Sequence, residues 1–239
     1  MKWKADFEDF LSGRTEGEVF DKSTLMLLMK LINRGVVDII DFPISTGKEG
    51  NVFRGKNKSG LVAVKIYRIN TVTFRNISKY LQYNGLSNVK KNRRSIIYAW
   101  SQKEFGNLSL LHRAGVRVPE PIANEGNVIV MEYIGTDEVP APLLKDAHMD
   151  EPEKVFEDVV RNVSIMYRKA GLVHADLSEY NILFQDEPVI IDVGQAVKSE
   201  NPMARQLLDR DVSNISRFFG KFFKVNKDDV MKQILEEKK

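Results

Sequence analysis

No cysteine occurs among the 239 residues. Disulfide staples and thiolate zinc sites are therefore excluded, and an intracellular setting is expected. Histidine is almost as scarce, and His112, His148 and His174 are scattered without a zinc signature. Long apolar runs are lacking too. The most apolar stretch, residues 25–32, is broken by Lys30 and far too short to span a bilayer, and the N-terminus has no signal-peptide pattern. A soluble, cytoplasmic protein with no membrane partner is expected. Acids are absent from residues 50–103, where Arg54, Lys56, Lys58, Lys65, Arg68, Arg75, Lys79, Lys90, Lys91, Arg93, Arg94 and Lys103 all fall. Most carboxylates lie in the second half. Such a split suits one part that meets polyphosphate, and nucleic acid as well, beside another that supplies metal-binding carboxylates.

The chain is organised around residues 172–193, LVHADLSEYNILFQDEPVIIDV. A loop carries His174, Asp176 and Asn181; two short apolar strands, 182–184 and 188–191, follow, joined by Gln185-Asp186-Glu187, with Asp192 at the exit. A hairpin of this kind brings Asp176, Asn181 and Asp192 together as oxygen donors, which is what a hard cation such as Mg²⁺ needs, with phosphate oxygens completing its shell. Asp and Asn are also ordinary turn formers. The apolar residues pressed around these acids argue against a plain solvated loop, because a carboxylate near a core stays charged only when paired or metal-bound. An Asp, four intervening residues, an Asn, and a second Asp after an apolar strand is the grammar of phosphotransferases.

Upstream, apolar residues at helical intervals predict a helix over 18–33, stopped at Asn33-Arg34-Gly35. A strand over 36–44 runs into Ser45-Thr46-Gly47-Lys48-Glu49-Gly50-Asn51, and a second strand starts at Val52. Such a turn can lay backbone N–H groups over phosphates, although by itself it reads more readily as a plain hairpin. It is neither a Walker A loop nor Gly-x-Gly-x-x-Gly. The strand 61–67 holds Lys65 in an apolar run, so its ammonium must meet an anion. The basic segment 67–95 reads as a mobile insertion, whose Lys90, Lys91, Arg93 and Arg94 are either solvated or set against RNA phosphates. A helix over 96–113 places Glu104 on its apolar stripe, where an acid needs a cation such as Lys65. Residues 128–135 form a buried strand opening into a linker, a short helix is expected over 139–147, and longer ones over 153–169, 202–219 and from 228 to 235.

Taken together, STGKEGNVF (45–53), VHADLSEYNIL (173–183) and IIDVGQAV (190–197) resemble the RIO family of atypical protein kinases, closest to its first branch in a compact form without long tails. His-Ala-Asp stands where most protein kinases have His-Arg-Asp, and Asp-Val-Gly where they have Asp-Phe-Gly. The resemblance implies an α+β, two-lobed kinase fold: a helical extension over 1–35, a small β-rich lobe over 36–134 with an insertion about 68–95, and a mainly helical lobe over 135–239 without an activation segment or peptide-docking helices. It implies an ATP- and Mg²⁺-dependent (or Mn²⁺-dependent) Ser/Thr kinase that autophosphorylates and acts in maturation of the small ribosomal subunit, with the pre-subunit particle and its rRNA as partners.

Carried over, Lys65 and Glu104 are the ion pair, Asp176 is the base, and Asn181 and Asp192 are the metal ligands, Asp192 being transiently phosphorylated. Ser45, Thr46, Gly47, Lys48, Glu49, Val52 and Glu179 line the nucleotide, Met131 backs it, and the backbone of Glu132 to Ile134 reads adenine. Two other readings stay open: a ribosome-binding ATPase switch in which protein phosphorylation is incidental, and a small-molecule kinase of the aminoglycoside or choline type. A pseudokinase scaffold is disfavoured because every base and metal position is filled.

Overall fold

The computed structural model describes residues 21–47, 50–69, 92–137 and 139–236. It divides into two compact units, residues 1–105 with 121–133, and residues 106–120 with 134–239.

In the first unit, helix α1 (Lys22–Asn33) begins where the Asp21 carboxylate accepts the Thr24 N–H at 2.8 Å, so one orphan donor of the first turn is satisfied. It ends at Gly35, whose φ of 68° lets the Gly35 and Val36 N–H groups turn back onto the Ile32 and Leu31 carbonyls. Strands β1 (Ile39–Thr46), β2 (Gly50–Asn57), β3 (Gly60–Tyr67), β4 (Pro121–Glu125) and β5 (Val128–Glu132) form one antiparallel sheet in the order β1-β2-β3-β5-β4. β1 takes up Pro43 at the sheet's edge with a shift of register on either side, as a residue without an N–H requires. β3 lies at the centre. Side chains alternate along a strand, so Val62, Val64 and Ile66 enter the core with Leu28 and Leu31 of α1, while Lys65 and Tyr67 point to the other face.

Helix α2 (Arg93–Ala114) contains the boundary between the units. It starts earlier than the expected 96 because the Asn92 side chain accepts the Ser95 N–H at 2.8 Å and the Asn92 carbonyl accepts Ile96 N–H. The rest of the expected insertion, residues 70–91, lies outside the described residues, as does residues 18–20 of the first expected helix.

The second unit holds α3 (Pro152–Arg168), α4 (Ala204–Phe219) and α5 (Lys227–Leu235), together with two small antiparallel sheets. One pairs β6 (Leu172–Val173) with β9 (Val197–Lys198); the other is the hairpin β7 (Ile182–Phe184) and β8 (Pro188–Ile190). Val155, Val159, Val160, Val163 and Met166 form the buried stripe of α3. Phe156, Phe218, Phe219, Phe222 and Phe223 interlock edge-on or tilted at the end of α4. The helix expected over 139–147 does not form. Leu143 bridges Leu183 and the Leu144 N–H donates to the Ile182 carbonyl, so this segment lies extended against the hairpin, and Pro142 has no N–H to give a helix.

Candidate active site

The loop between β6 and β7 is set by backbone geometry that few residues tolerate. Ala175 sits at φ 69° and Asp192 at φ 65°, the two non-glycine residues with positive φ among those described. Such conformations persist only where the surroundings impose them. Here α4 does so. The buried Asp211 carboxylate accepts the Ala175 N–H at 2.8 Å and the Leu177 N–H at 2.9 Å, bracketing Asp176. Arg210 donates to the Ala175 carbonyl and Asn214 to that of Leu177, at 3.0 Å for the latter. From the other side, His174 is buried and its Nε2 lies 3.0 Å from the Ile191 carbonyl, which can only accept, so Nε2 carries the proton. That contact ties the loop to the residue just before Asp192. Asn107 donates to the Val193 carbonyl at 2.8 Å and fixes the backbone just after it.

Asn181 closes the arrangement. Its side-chain nitrogen donates to the Asp176 carbonyl at 2.7 Å, and its own carbonyl accepts the Ile191 N–H at 3.0 Å. With the nitrogen committed, the amide oxygen is the atom left for a ligand. Asp176 and Asp192 are exposed. Burial of part of its carboxyl pushes Asp176 above the ordinary carboxylate range; His174 and Arg210 draw it back, and the charge of Asp192 adds to the rise. Two carboxylates and an amide oxygen are hard donors of the kind Mg²⁺ takes. Among the described residues no group of three or more His, Cys, Asp or Glu is placed to hold a metal ion.

In the first unit, Lys65 Nζ lies 2.7 Å from Glu104 Oε1, with both side chains largely shielded. Ser45 and Thr46 end β1 and are exposed; Gly47 donates its N–H to the Gly50 carbonyl at 2.9 Å. Lys48 and Glu49 lie outside the described residues. Val52 pairs in register with Lys65 across β2 and β3, and Met131 and Glu132 pair with Ala63 and Val62 at the end of β5. Ile134 packs with Ala141 and Val189, and its carbonyl accepts the Ala141 N–H at 3.0 Å. Glu179 accepts the Lys145 N–H through its carbonyl at 3.4 Å. Asp211, Arg210, Asn214 and Asn107 were not legible as site residues, because each supports the loop from a distant helix. An Asp on the buried stripe of a predicted helix, as Asp211 is, was the available signal.

Sheet, buried Lys–Glu pair, supported Asp-x₄-Asn loop and the Asp beyond the hairpin define a protein-kinase-like fold. Residues 199–203 alone separate β9 from α4, which leaves no room there for an activation segment. The same fold is seen in the Chaetomium thermophilum Rio2 kinase, crystallised as an ADP/Mg²⁺-phosphoaspartate complex, with a TM-score of 0.68 at 22% identity over 100% of this chain and 77% of that one. The RIO domain profile matches residues 51–232. The RIO-type serine/threonine-protein kinase Rio1 of Haloferax volcanii is 44% identical over 209 residues, covering 86% of this chain and 72% of that protein. Rio1 of Methanocaldococcus jannaschii is 41% identical over 209 residues, covering 86% and 71%. The chain belongs to the RIO family of atypical serine/threonine-protein kinases. No helix among the described residues is long and apolar enough to cross a membrane.

Proposed function

We propose that this chain transfers the γ-phosphoryl group of ATP, with Mg²⁺, to serine or threonine hydroxyls. The observation that carries the reading is the Asn181 amide locked on the Asp176 carbonyl while Asp192, beyond the hairpin, is held in the left-handed region. Asp176 orients the attacking hydroxyl and accepts its proton, a task its raised carboxyl pKa suits. Asn181 and Asp192 would hold Mg²⁺ through their side-chain oxygens, and the bound ion would supply neutralisation of the charge on the phosphate oxygens. Lys65, kept in place by Glu104, meets the α and β phosphates, and the turn at Ser45, Thr46 and Gly47 covers them. The backbone N–H and carbonyl groups of Glu132 to Ile134 read the adenine edge. The names of the Rio1 relatives support a protein acceptor over a small-molecule one.

Family membership supports three further parts of this reading: autophosphorylation, transient phosphorylation of Asp192, and a place in maturation of the small ribosomal subunit. A second reading, a ribosome-bound ATPase switch, is favoured by the short 199–203 connection, which offers no activation segment to seat a peptide. If small-subunit particles raise ATP hydrolysis while label on protein stays trivial, the switch is the better description.

Asp176→Ala tests the core assignment. With γ-labelled ATP and Mg²⁺, transfer to serine and threonine should fall at least about 10²-fold, the scale of a lost general base, while ATP affinity is nearly unchanged. A variant that retains full turnover removes Asp176 from the mechanism.

A further inference from the structure

Tyr67, two residues beyond Lys65, takes no part in the reading above. It is 1% exposed. Its hydroxyl donates to Glu104 Oε2, while Lys65 donates to Oε1 of the same carboxylate at 2.7 Å. The Lys65 ammonium also lies 5.0 Å from the centre of the Tyr67 ring, so one side chain touches both members of the ion pair. Its backbone is fixed independently. The Tyr67 N–H donates to the Asn127 carbonyl at 3.0 Å, and the buried Asn127 amide donates to the Tyr67 carbonyl at 2.7 Å and to Thr24 Oγ1 of α1 at 3.0 Å. Glu104 is itself 1% exposed, and its carboxylate cannot turn about its last torsion without breaking the bonds to both Tyr67 and Lys65.

We propose that Tyr67 is a positioning residue for phosphate binding: its hydroxyl fixes the Glu104 carboxylate so that Lys65 is presented to the nucleotide in one orientation. This rests on the reading of Lys65 as a phosphate contact. An aromatic residue at the end of an apolar strand reads as core from sequence, and plain core filling is the competing role.

Tyr67→Phe separates the two roles, since it removes one oxygen and keeps the ring and both backbone bonds to Asn127. By calorimetry with MgATP, the dissociation constant should rise about tenfold or more, the range of one hydrogen bond to a charged group. In a Glu104→Ala background, which has no acceptor for the hydroxyl, the same change should have no further effect, whereas core filling, with the ring kept, predicts no loss in either background. If Tyr67→Phe binds MgATP like the parent while Lys65→Ala binds weakly, the proposal is wrong and the Lys65 assignment stands. If Lys65→Ala also binds like the parent, the Lys65 assignment fails and takes the proposal with it. Should Tyr67→Phe lack a cooperative melt, 3-fluorotyrosine at position 67 supplies the readout. Its ¹⁹F resonance must move on adding MgATP and on introducing Glu104→Gln, and indifference to either overturns the proposal.

Discussion

Two residues carry opposite relations between charge and stability. Asp176 has its carboxyl raised, first by burial, so the folded chain binds that proton more tightly than the unfolded one. Stability is therefore lost as pH rises through the folded-state value, and at neutral pH the ionised group is a cost to folding. Asp176→Asn should melt at a higher temperature than the parent at pH 7, with the difference disappearing below the ordinary value of 3.8. A melt unchanged at pH 7 would mean that the carboxylate is not strained by its site. Lys65 behaves the other way. Removing it leaves a carboxylate that is 1% exposed without its ammonium, and Lys65→Ala should lose about 3–5 kcal/mol in urea unfolding. Lys65→Ala with Glu104→Ala should recover part of that stability but none of the nucleotide affinity. Lys65 and Glu104 were legible as a pair in the sequence, because a lysine in an apolar strand and an acid on an apolar helix stripe each demand a partner. Tyr67 was not, since a tyrosine at a strand end demands nothing visible.

The turn after β1 and the α4 clamp show where single substitutions disturb whole elements. A Cβ on Gly50 would sit 2.4 Å from the Ile66 carbonyl oxygen, so Gly50→Ala must push β2 from β3. A loss of about 1–3 kcal/mol is expected by urea unfolding, with weaker ATP binding because Gly50 also closes the Gly47 turn. Asp211→Asn keeps the shape of the side chain but turns an amide donor toward one of two backbone N–H groups. About 1–3 kcal/mol should go, together with phosphate transfer, and a variant of normal activity would show that the loop holds its strained shape unaided. The hairpin at 182–190 was readable because its apolar pairs and polar turn lie side by side in the chain. β4, β6 and β9 were not. Each is short, and β6 and β9 exist only because residues far apart in sequence meet; periodicity in either segment says nothing of that. The missing 139–147 helix failed for the same reason, its hydrogen bonds being taken by the hairpin.

For the molecule as a whole, the sequence pattern led to the family, and the family profile and relatives agree with it. What could not be read was how the loop around Asp176 is supported, since Asp211 reaches Ala175 and Leu177 from α4. The most direct check of the account is a crystal structure grown with ATP and Mg²⁺. The ion should be bound by Asn181 through oxygen and by the Asp192 carboxylate, with Asp176 facing the γ-phosphate and Lys65 on the α and β phosphates. Nucleotide and metal settled away from these residues would contradict it.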